Sequence, residues 1–209
     1  MSRGLFITFE GIDNSGKSVQ VERFAGRLKE SQVVVLRDPG ATAISEKIRH
    51  ILLDNDNYEM SAWTELLLYE AARAQMVEQL IKPALAKQSI VVCDRFYDST
   101  TTYQGYGRGL NLKLVKQANK IGACGLTPDL TFIIDVEPEI ALQRSRKNKT
   151  KADRLESEGI QFQNRVRQGY LKIADEEKER IVVVNGHLSV EEIHKNIWDI
   201  FLQRIGNPF

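Results

Sequence analysis

Cysteine, histidine and proline are scarce in this sequence, and net charge is almost absent. The two cysteines, Cys93 and Cys124, form no CxxC pair, so we expect neither a zinc site nor a disulfide framework, and a reducing compartment. A formal net charge of +1 argues against recruitment of nucleic acid or a membrane by bulk charge. Apolar runs stay short of a membrane span, and residues 1–4 lead directly into an apolar strand without a signal-peptide pattern. We therefore expect a soluble, cytoplasmic protein built as one domain, residues 1–209.

A complete phosphate-binding pattern lies near the N-terminus. Residues 11–18 match G-x-x-x-x-G-K-[ST], follow an apolar run of β-forming residues and precede a helical pattern, which is the context that this motif requires. The glycines let backbone N–H groups converge on phosphate oxygens, Lys17 can reach the outer phosphates, and the Ser18 hydroxyl can hold Mg²⁺. The sequence thus predicts a nucleoside triphosphate site. Its residues are Gly11, Ile12, Asp13, Asn14, Ser15, Gly16, Lys17 and Ser18.

Strand-like runs alternate with helical patterns along the chain. Short apolar strands are predicted at residues 5–9, 32–36, 89–93, 130–134 and 181–184. Helices are predicted after the phosphate loop and at about 44–52, 61–86, 112–121 and 190–204, with Ser61 as an N-cap and Pro83 in a last turn. The Gly- and Tyr-rich residues 103–109 are assigned to a loop. The pattern indicates an α/β fold, a five-stranded parallel sheet flanked by helices on both faces, with chemistry outside the carboxyl ends of the strands.

Charged side chains follow three of the predicted strands. Asp13 opposes the anion beside it, so it is a solvated loop acid, a water-mediated metal contact, or a ligand for a hydroxyl on a second substrate. Arg37, held by a turn at residues 38–40, is either a bidentate phosphate ligand or a surface arginine paired to a neighbouring acid. Asp94, next to Arg95, stands where phosphate-loop enzymes place the acid that orients the Mg²⁺ shell, and a structural ion pair is the alternative.

Two further patterns lie away from these strand ends. A basic run at about 144–156 predicts a lid that closes over a transferring phosphoryl group, although most charge runs are solvated faces. It contains Arg144, Arg146, Lys147, Lys149, Lys151 and Arg154, with Asp153 as the one acid between residues 144 and 154. In the long helix Tyr69 and Arg73 are four residues apart and share a face. They could sandwich and read a nucleobase, whereas core packing is the alternative for Tyr69.

Three blocks of sequence together give the chain a family likeness. They are Phe9-Glu10-Gly11-Ile12-Asp13 with Gly16-Lys17-Ser18, Arg37-Asp38-Pro39-Gly40-Ala41-Thr42, and Asp94-Arg95-Phe96 with Ser99 and Tyr103-Gln104-Gly105-Tyr106-Gly107-Arg108. In this combination the chain resembles the bacterial-type thymidylate kinases of the P-loop nucleoside monophosphate kinase superfamily, over nearly its whole length. The resemblance implies the P-loop nucleotide kinase fold and transfer of the γ-phosphoryl group of ATP to dTMP, giving dTDP and ADP. It also implies Mg²⁺ and a homodimer.

The resemblance also implies a role for each site residue. Asp13 would meet the deoxyribose 3′-hydroxyl, Tyr69 would stack on thymine, and Arg73 would bind the carbonyl edge of the base. The dTMP-binding set is Asp13, Arg37, Tyr69, Arg73, Arg95, Thr102, Tyr103 and Gln104, with the phosphate held by Arg37 and Arg95. The catalytic set is Lys17, Arg95 and Arg146 with Arg144 or Arg154, and the metal ligands are Ser18 and Asp94.

The sequence departs from the family pattern at a few positions. Asp38 stands where Glu is usual, Tyr69 where Phe is usual and Thr102 where Ala is common. The rival predictions are a kinase of the same fold that acts on another nucleoside monophosphate or on a nucleoside, and a P-loop switch that slowly hydrolyses its nucleotide. Two arginines aimed at an acceptor phosphate, Arg37 and Arg95, argue against a nucleoside kinase.

Overall fold

The computed structural model describes residues 3–28, 33–148 and 154–206. Its strands are β1 (Phe6–Glu10), β2 (Val33–Arg37), β3 (Ile90–Asp94), β4 (Leu130–Asp135) and β5 (Ile181–Asn185). They form one parallel sheet in the order β2-β3-β1-β4-β5. The predicted α/β fold is confirmed, and each strand ends one residue beyond its predicted carboxyl end. Residue 32 of the second predicted strand lies outside the described residues.

Helices cover both faces of the sheet. Those in the described residues are α1 (Lys17–Arg27), α2 (Ala43–Leu53), α3 (Ala62–Met76), α4 (Lys82–Ala86), α5 (Tyr97–Thr100), α6 (Leu112–Gly122), α7 (Pro138–Asn148), α8 (Ile160–Glu176) and α9 (Val190–Ile205). Within the described residues, no helix combines the length and the apolarity that a bilayer crossing requires.

The core lies on both sides of the sheet because successive strand residues point to opposite faces. On one side Ile7 and Phe9 pack with Phe24 of α1 and with Phe201 of α9. On the other side Phe6 contacts Phe96 edge-on and packs near the end of α3. A second cluster on this side surrounds α8. Burial on both faces explains why the strands are continuous apolar runs rather than alternating ones.

The long predicted helix is confirmed at its start and interrupted before its end. Ser61 caps α3, since its Oγ accepts a hydrogen bond from the Thr64 N–H at 3.1 Å. A π-helical turn, Val77–Ile81, then separates α3 from α4, and Pro83 follows in the first turn of α4. Proline has no N–H and clashes with the carbonyl four residues earlier, so a widened turn directly before it accommodates the ring.

The prediction of a loop at residues 103–109 is wrong over most of that range, and α8 was not predicted. Thr101–Gly107 forms a π-helical segment that packs against α8. A Cβ on Gly107 would lie 2.7 Å from the Phe162 ring, and one on Gly169 would lie 2.7 Å from Tyr106. The glycines therefore permit close packing of two helical segments, whereas composition alone suggested a turn.

Candidate active site

The phosphate loop joins β1 to α1 at the carboxyl edge of the sheet. Gly11 and Gly16 have φ angles of +137° and +98°, which glycine adopts readily. A Cβ on Gly11 would lie 2.6 Å from the Ile134 carbonyl oxygen, so a larger residue does not fit. Gly16 immediately precedes α1, and the first N–H groups of a helix have no partner within the helix and can bind anions. The backbone of the loop therefore has the geometry that the sequence motif predicts for an anion-binding site.

Lys17 and Ser18 follow this anion-binding backbone on the first turn of α1. Lys17 is buried and its Nζ donates to the Ile12 carbonyl at 3.4 Å, while burial and the nearby Arg95 charge lower its pKa. The Ser18 hydroxyl donates to the Asp94 carboxylate at 2.5 Å. The neighbouring strands β1 and β3 bring these side chains together, because Phe9 pairs with Asp94 across the sheet.

Arg95 lies at the centre of the site and connects the end of β3 to the phosphate loop. Its Nη1 donates to the Gly11 carbonyl at 2.8 Å, and its Nη2 donates to the Asp13 carboxylate at 2.6 Å. Tyr103 donates to the other Asp13 oxygen at 2.8 Å. Burial alone raises the pKa of Asp13, but the charges of Arg95 and Lys17 outweigh it and lower the pKa. Asp13 is therefore an ionised acceptor within the cluster.

A second buried cluster lies at the α3 end of the cleft. Arg73 is 1% exposed and donates to Asp38 at 2.5 Å, to Glu70 at 2.6 Å and to Thr100 at 2.7 Å. Tyr69 is 9% exposed on the same helix. The peptide bond between Asp38 and Pro39 is cis. These contacts fix the guanidinium of Arg73, which lies 5.5 Å from the centroid of the Phe96 ring and lines the same cleft as Tyr69.

One cleft of about 570 Å³ joins the two clusters. Arg37 lies on its wall, half-exposed and ion-paired with Glu46 at 3.1 Å, so the paired arrangement predicted as the alternative is present alongside a cleft position. The predicted site residues that line the cleft are Asp13, Asn14, Gly16, Lys17, Ser18, Arg37, Tyr69, Arg73, Asp94, Arg95, Tyr103, Gln104 and Arg144.

Other predicted site residues lie outside the cleft lining. Gly11, Ile12 and Ser15 are buried in the loop and contribute its backbone. Thr102 was predicted to line the dTMP site, but it is fully buried and its hydroxyl donates to the Ser99 carbonyl at 3.0 Å. The Thr102 side chain is therefore not part of the cleft lining in the described residues.

The lid arginines divide into three positions. Arg144 of α7 donates to the Ser15 carbonyl of the phosphate loop at 2.9 Å and to the Gly186 carbonyl at 2.8 Å. Arg146, two residues further along α7, is exposed. Arg154 is buried, donates to the Leu52 carbonyl at 2.9 Å and pairs with Glu65 at 2.6 Å.

Arg154 was predicted as a catalytic candidate, and its contacts are those of an anchor outside the cleft lining. Residues 149–153 of the predicted lid, which include Lys149, Lys151 and Asp153, lie outside the described residues.

A buried carboxylate below Arg95 was not predicted as a site residue. Glu10 accepts hydrogen bonds from Phe96 N at 2.7 Å, from Ser99 Oγ at 2.6 Å and from the Tyr170 hydroxyl at 2.9 Å. Ser99 and Tyr170 also accept from Arg95, at 3.0 and 3.2 Å. Burial and the negative charge of Asp98 raise the pKa of Glu10 to about 7. The helical spacing of apolar residues in α8 was the available indication of Tyr170.

A phosphate loop, a Ser–Asp pair beside it and arginines facing it across a cleft at the carboxyl edge of a parallel sheet define a P-loop nucleotide kinase. The family model described as thymidylate kinase matches residues 9–197. A thymidylate kinase of Kosmotoga olearia is 47% identical over 200 residues, covering 95% of each chain, and one of Prosthecochloris aestuarii is 45% identical, covering 97% of this chain and 95% of its own.

A solved structure of thymidylate kinase from Ehrlichia chaffeensis superimposes with a TM-score of 0.79 at 33% identity. The superposition covers 95% of this chain and 99% of that chain. The chain belongs to the thymidylate kinase family.

Proposed function

We propose that this chain transfers the γ-phosphoryl group of ATP to dTMP, giving dTDP and ADP for dTTP synthesis. The observation that carries the proposal is the position of Arg95 between the two halves of the cleft. Its guanidinium bonds to Gly11 and Asp13 of the donor's phosphate loop, and it lies on the acceptor side as well. A phosphate held by Arg95 is therefore adjacent to a phosphate held by the loop, which in-line transfer requires.

On the donor side, the loop N–H groups and Lys17 bind the ATP phosphates. Ser18 and Asp94 place two potential metal-ligand oxygens 2.5 Å apart beside the loop. Mg²⁺ favours a site in which a few protein oxygens are completed by phosphate and water. When bound, the ion neutralises charge on the phosphate oxygens. The role of the protein is to fix both oxygens at one edge of the sheet.

On the acceptor side, Arg37 and Arg95 hold the dTMP phosphate, and Asp13 accepts from the deoxyribose 3′-hydroxyl. Tyr69 stacks on the base while Arg73 donates to its carbonyl edge. Tyr103 and Gln104 line the sugar and base, and Thr102 supports the segment that carries them.

The remaining catalytic charge comes from Lys17, Arg95 and the lid. Arg144 and Arg146 lie on one helix, and Arg144 already contacts the phosphate loop. Either guanidinium brings fixed positive charge to the transferring phosphoryl group, where preorganised donors act most strongly. Arg154 acts by anchoring the carboxyl end of the lid to Glu65.

We also propose a homodimer formed through α2, α3 and α6. These three helices pack side by side and each exposes apolar side chains. Exposed fractions are 52% for Ile44, 62% for Leu67 and 76% for Ile121, with Ile51, Trp63 and Leu114 at 45–47%. An apolar face of this kind is typical of a protein–protein interface.

An acceptor panel tests the proposed reaction. The chain is incubated with ATP, Mg²⁺ and one of dTMP, dUMP, dCMP, CMP, UMP, AMP, GMP or thymidine, and ADP release is followed. We expect fast turnover with dTMP, weaker turnover with dUMP and background rates with the others. Faster turnover with another monophosphate would overturn the acceptor assignment and leave the kinase class intact.

A further inference from the structure

Glu65 of α3 is a fully buried carboxylate that accepts hydrogen bonds from Gln104 and Arg108 and forms an ion pair with Arg154. Gln104 Nε2 donates to Oε1 at 2.8 Å, Arg108 donates to both oxygens at 3.1 and 3.0 Å, and Arg154 Nη2 lies 2.6 Å from Oε2. Burial alone raises the pKa of Glu65, but hydrogen bonds from Arg108 and Gln104 outweigh it and lower the pKa. Glu65 is therefore ionised at neutral pH, and an ionised carboxylate only accepts hydrogen bonds.

This partner determines which way the carboxamide of Gln104 points. A carboxamide has a donor end and an acceptor end that are nearly equal in size. Because Glu65 can only accept, the donor end of Gln104 must face it, and the carbonyl oxygen is turned the other way. Gln104 also lines the cleft while being 1% exposed. The group that it offers to a bound base is thus an acceptor.

Arg73 presents the complementary group in the same cleft. Each of its three nitrogens donates to a described partner, Asp38, Glu70 or Thr100, and a guanidinium carries five N–H groups. The guanidinium can therefore still donate to a ligand. A donor beside an acceptor matches the adjacent C=O and N–H of an imide pyrimidine such as thymine or uracil. Cytosine presents an amino group beside an unprotonated ring nitrogen, which opposes donor to donor and acceptor to acceptor.

We propose that Glu65 is a positioning residue for acceptor specificity: it holds the Gln104 carboxamide so that the cleft selects an imide pyrimidine over cytosine. The inference rests on the proposed function, since it requires the acceptor base to lie between Gln104 and Arg73. Glu65 itself touches no substrate and acts through Gln104.

The test is a set of kcat/KM values for dTMP, dUMP and dCMP in the wild-type chain and in Glu65→Gln. A glutamine at position 65 can donate to the Gln104 carbonyl, so the Gln104 carboxamide can turn its N–H₂ towards the cleft. We expect the dTMP/dCMP ratio of kcat/KM to fall by about 10- to 100-fold, because a mispaired buried group is costly. The dTMP/dUMP ratio should stay within about twofold, since both bases carry the same imide edge.

Two further variants separate this role from a structural one. The exchange E65Q/Q104E keeps one buried carboxylate and offers only acceptors to the cleft, so it should recover most of the dTMP/dCMP ratio. Arg108→Lys weakens the ion pairs of Glu65 without changing the carboxamide, so its ratio should match the wild type. Ratios measured on one sample do not depend on how much of a variant is folded.

The outcomes distinguish the inference from the function on which it rests. A wild-type chain without preference for dTMP over dCMP would contradict the proposed function itself. A wild-type preference that survives in Glu65→Gln, or that Arg108→Lys lowers equally, would overturn the role of Glu65 alone. Loss of the preference in Glu65→Gln with no recovery in the exchange variant would also count against it.

Discussion

Arg95 holds a backbone conformation that few arginines adopt. Its φ of +71° lies in the left-handed region, which costs a non-glycine residue about 1–2 kcal/mol. The conformation persists because the Arg95 N–H donates to the Phe9 carbonyl at 2.9 Å and the guanidinium is bonded to Gly11, Asp13 and Ser99. Such strain is common where a side chain must be aimed at a reacting group.

Substitution of Arg95 in the cleft and of Arg146 on α7 should affect different kinetic constants. If Arg95 holds the acceptor phosphate as proposed, Arg95→Ala should raise the KM for dTMP by about tenfold or more. If Arg146 contacts the transition state as proposed, Arg146→Ala should lower kcat by about 100-fold while the KM for dTMP changes by less than about threefold. Steady-state kinetics that vary each substrate provide the measurement, and the reverse pattern would contradict the assignment.

The buried Glu10 predicts a pH dependence of stability. Its pKa is about 7 in the folded chain and 4.5 in a model peptide, so between these values the folded state binds more protons than the unfolded state. Relative to Glu10→Gln, the unfolding free energy of the wild type should therefore fall as pH rises from about 4.5 to about 7, by on the order of 3 kcal/mol, and stay level above.

Urea unfolding of both proteins at pH 5, 6, 7 and 8 measures this difference. The exposed Glu179→Gln variant is the control for loss of a carboxyl group. A difference between wild type and Glu10→Gln that is constant across these pH values would refute the account of Glu10.

At the scale of elements, the space around two helical glycines predicts that substitution by alanine has opposite effects on stability. Gly169 of α8 lies against Tyr106, whereas a Cβ on Gly26 of α1 would meet nothing within 4 Å. We expect Gly169→Ala to destabilise the fold by about 1–3 kcal/mol through overpacking. Gly26→Ala should stabilise it by about 0.5–1 kcal/mol through reduced freedom of the unfolded chain. Chemical denaturation of both variants checks the pair, and equal effects would speak against the packing argument.

The sequence predicts the strands and the phosphate loop well because those features are local. Apolar runs bounded by polar residues locate β1 to β5 to within a residue at the carboxyl ends. The π-helical segment Thr101–Gly107 escaped prediction because Gly107 packs against Phe162 of α8, more than fifty residues away, and Gly105 packs against Leu112 of α6.

Site residues were likewise predictable only where their position follows from local sequence. Asp13 and Arg95 follow the carboxyl ends of parallel strands, so their location at one edge of the sheet was predictable. The hydrogen bonds of Thr102, the pairing of Arg154 with Glu65 and the contacts of Glu10 with Tyr170 join residues far apart in sequence or turn a side chain inward. Neither spacing nor composition carries that information.

At the scale of the whole molecule, the apolar face on α2, α3 and α6 predicts self-association. We expect the wild type to be a dimer and Leu67→Glu, which places a charge at the middle helix of this face, to be a monomer. Leu202 of α9 is 37% exposed and lies outside this face, so Leu202→Glu is the control and should leave the dimer intact. Light scattering coupled to size-exclusion chromatography gives the mass of each, and a monomeric wild type would remove the proposed interface.

The central claim is that donor and acceptor phosphates meet across Arg95 in one cleft. The measurement that tests it most directly is transfer of label from ATP labelled at the γ-phosphorus, in the presence of dTMP and Mg²⁺, with nucleotides separated from inorganic phosphate. We predict that the label leaves ATP only when dTMP is present and appears in dTDP, one equivalent for each ADP formed. Label released as inorganic phosphate at a rate independent of dTMP would contradict the account.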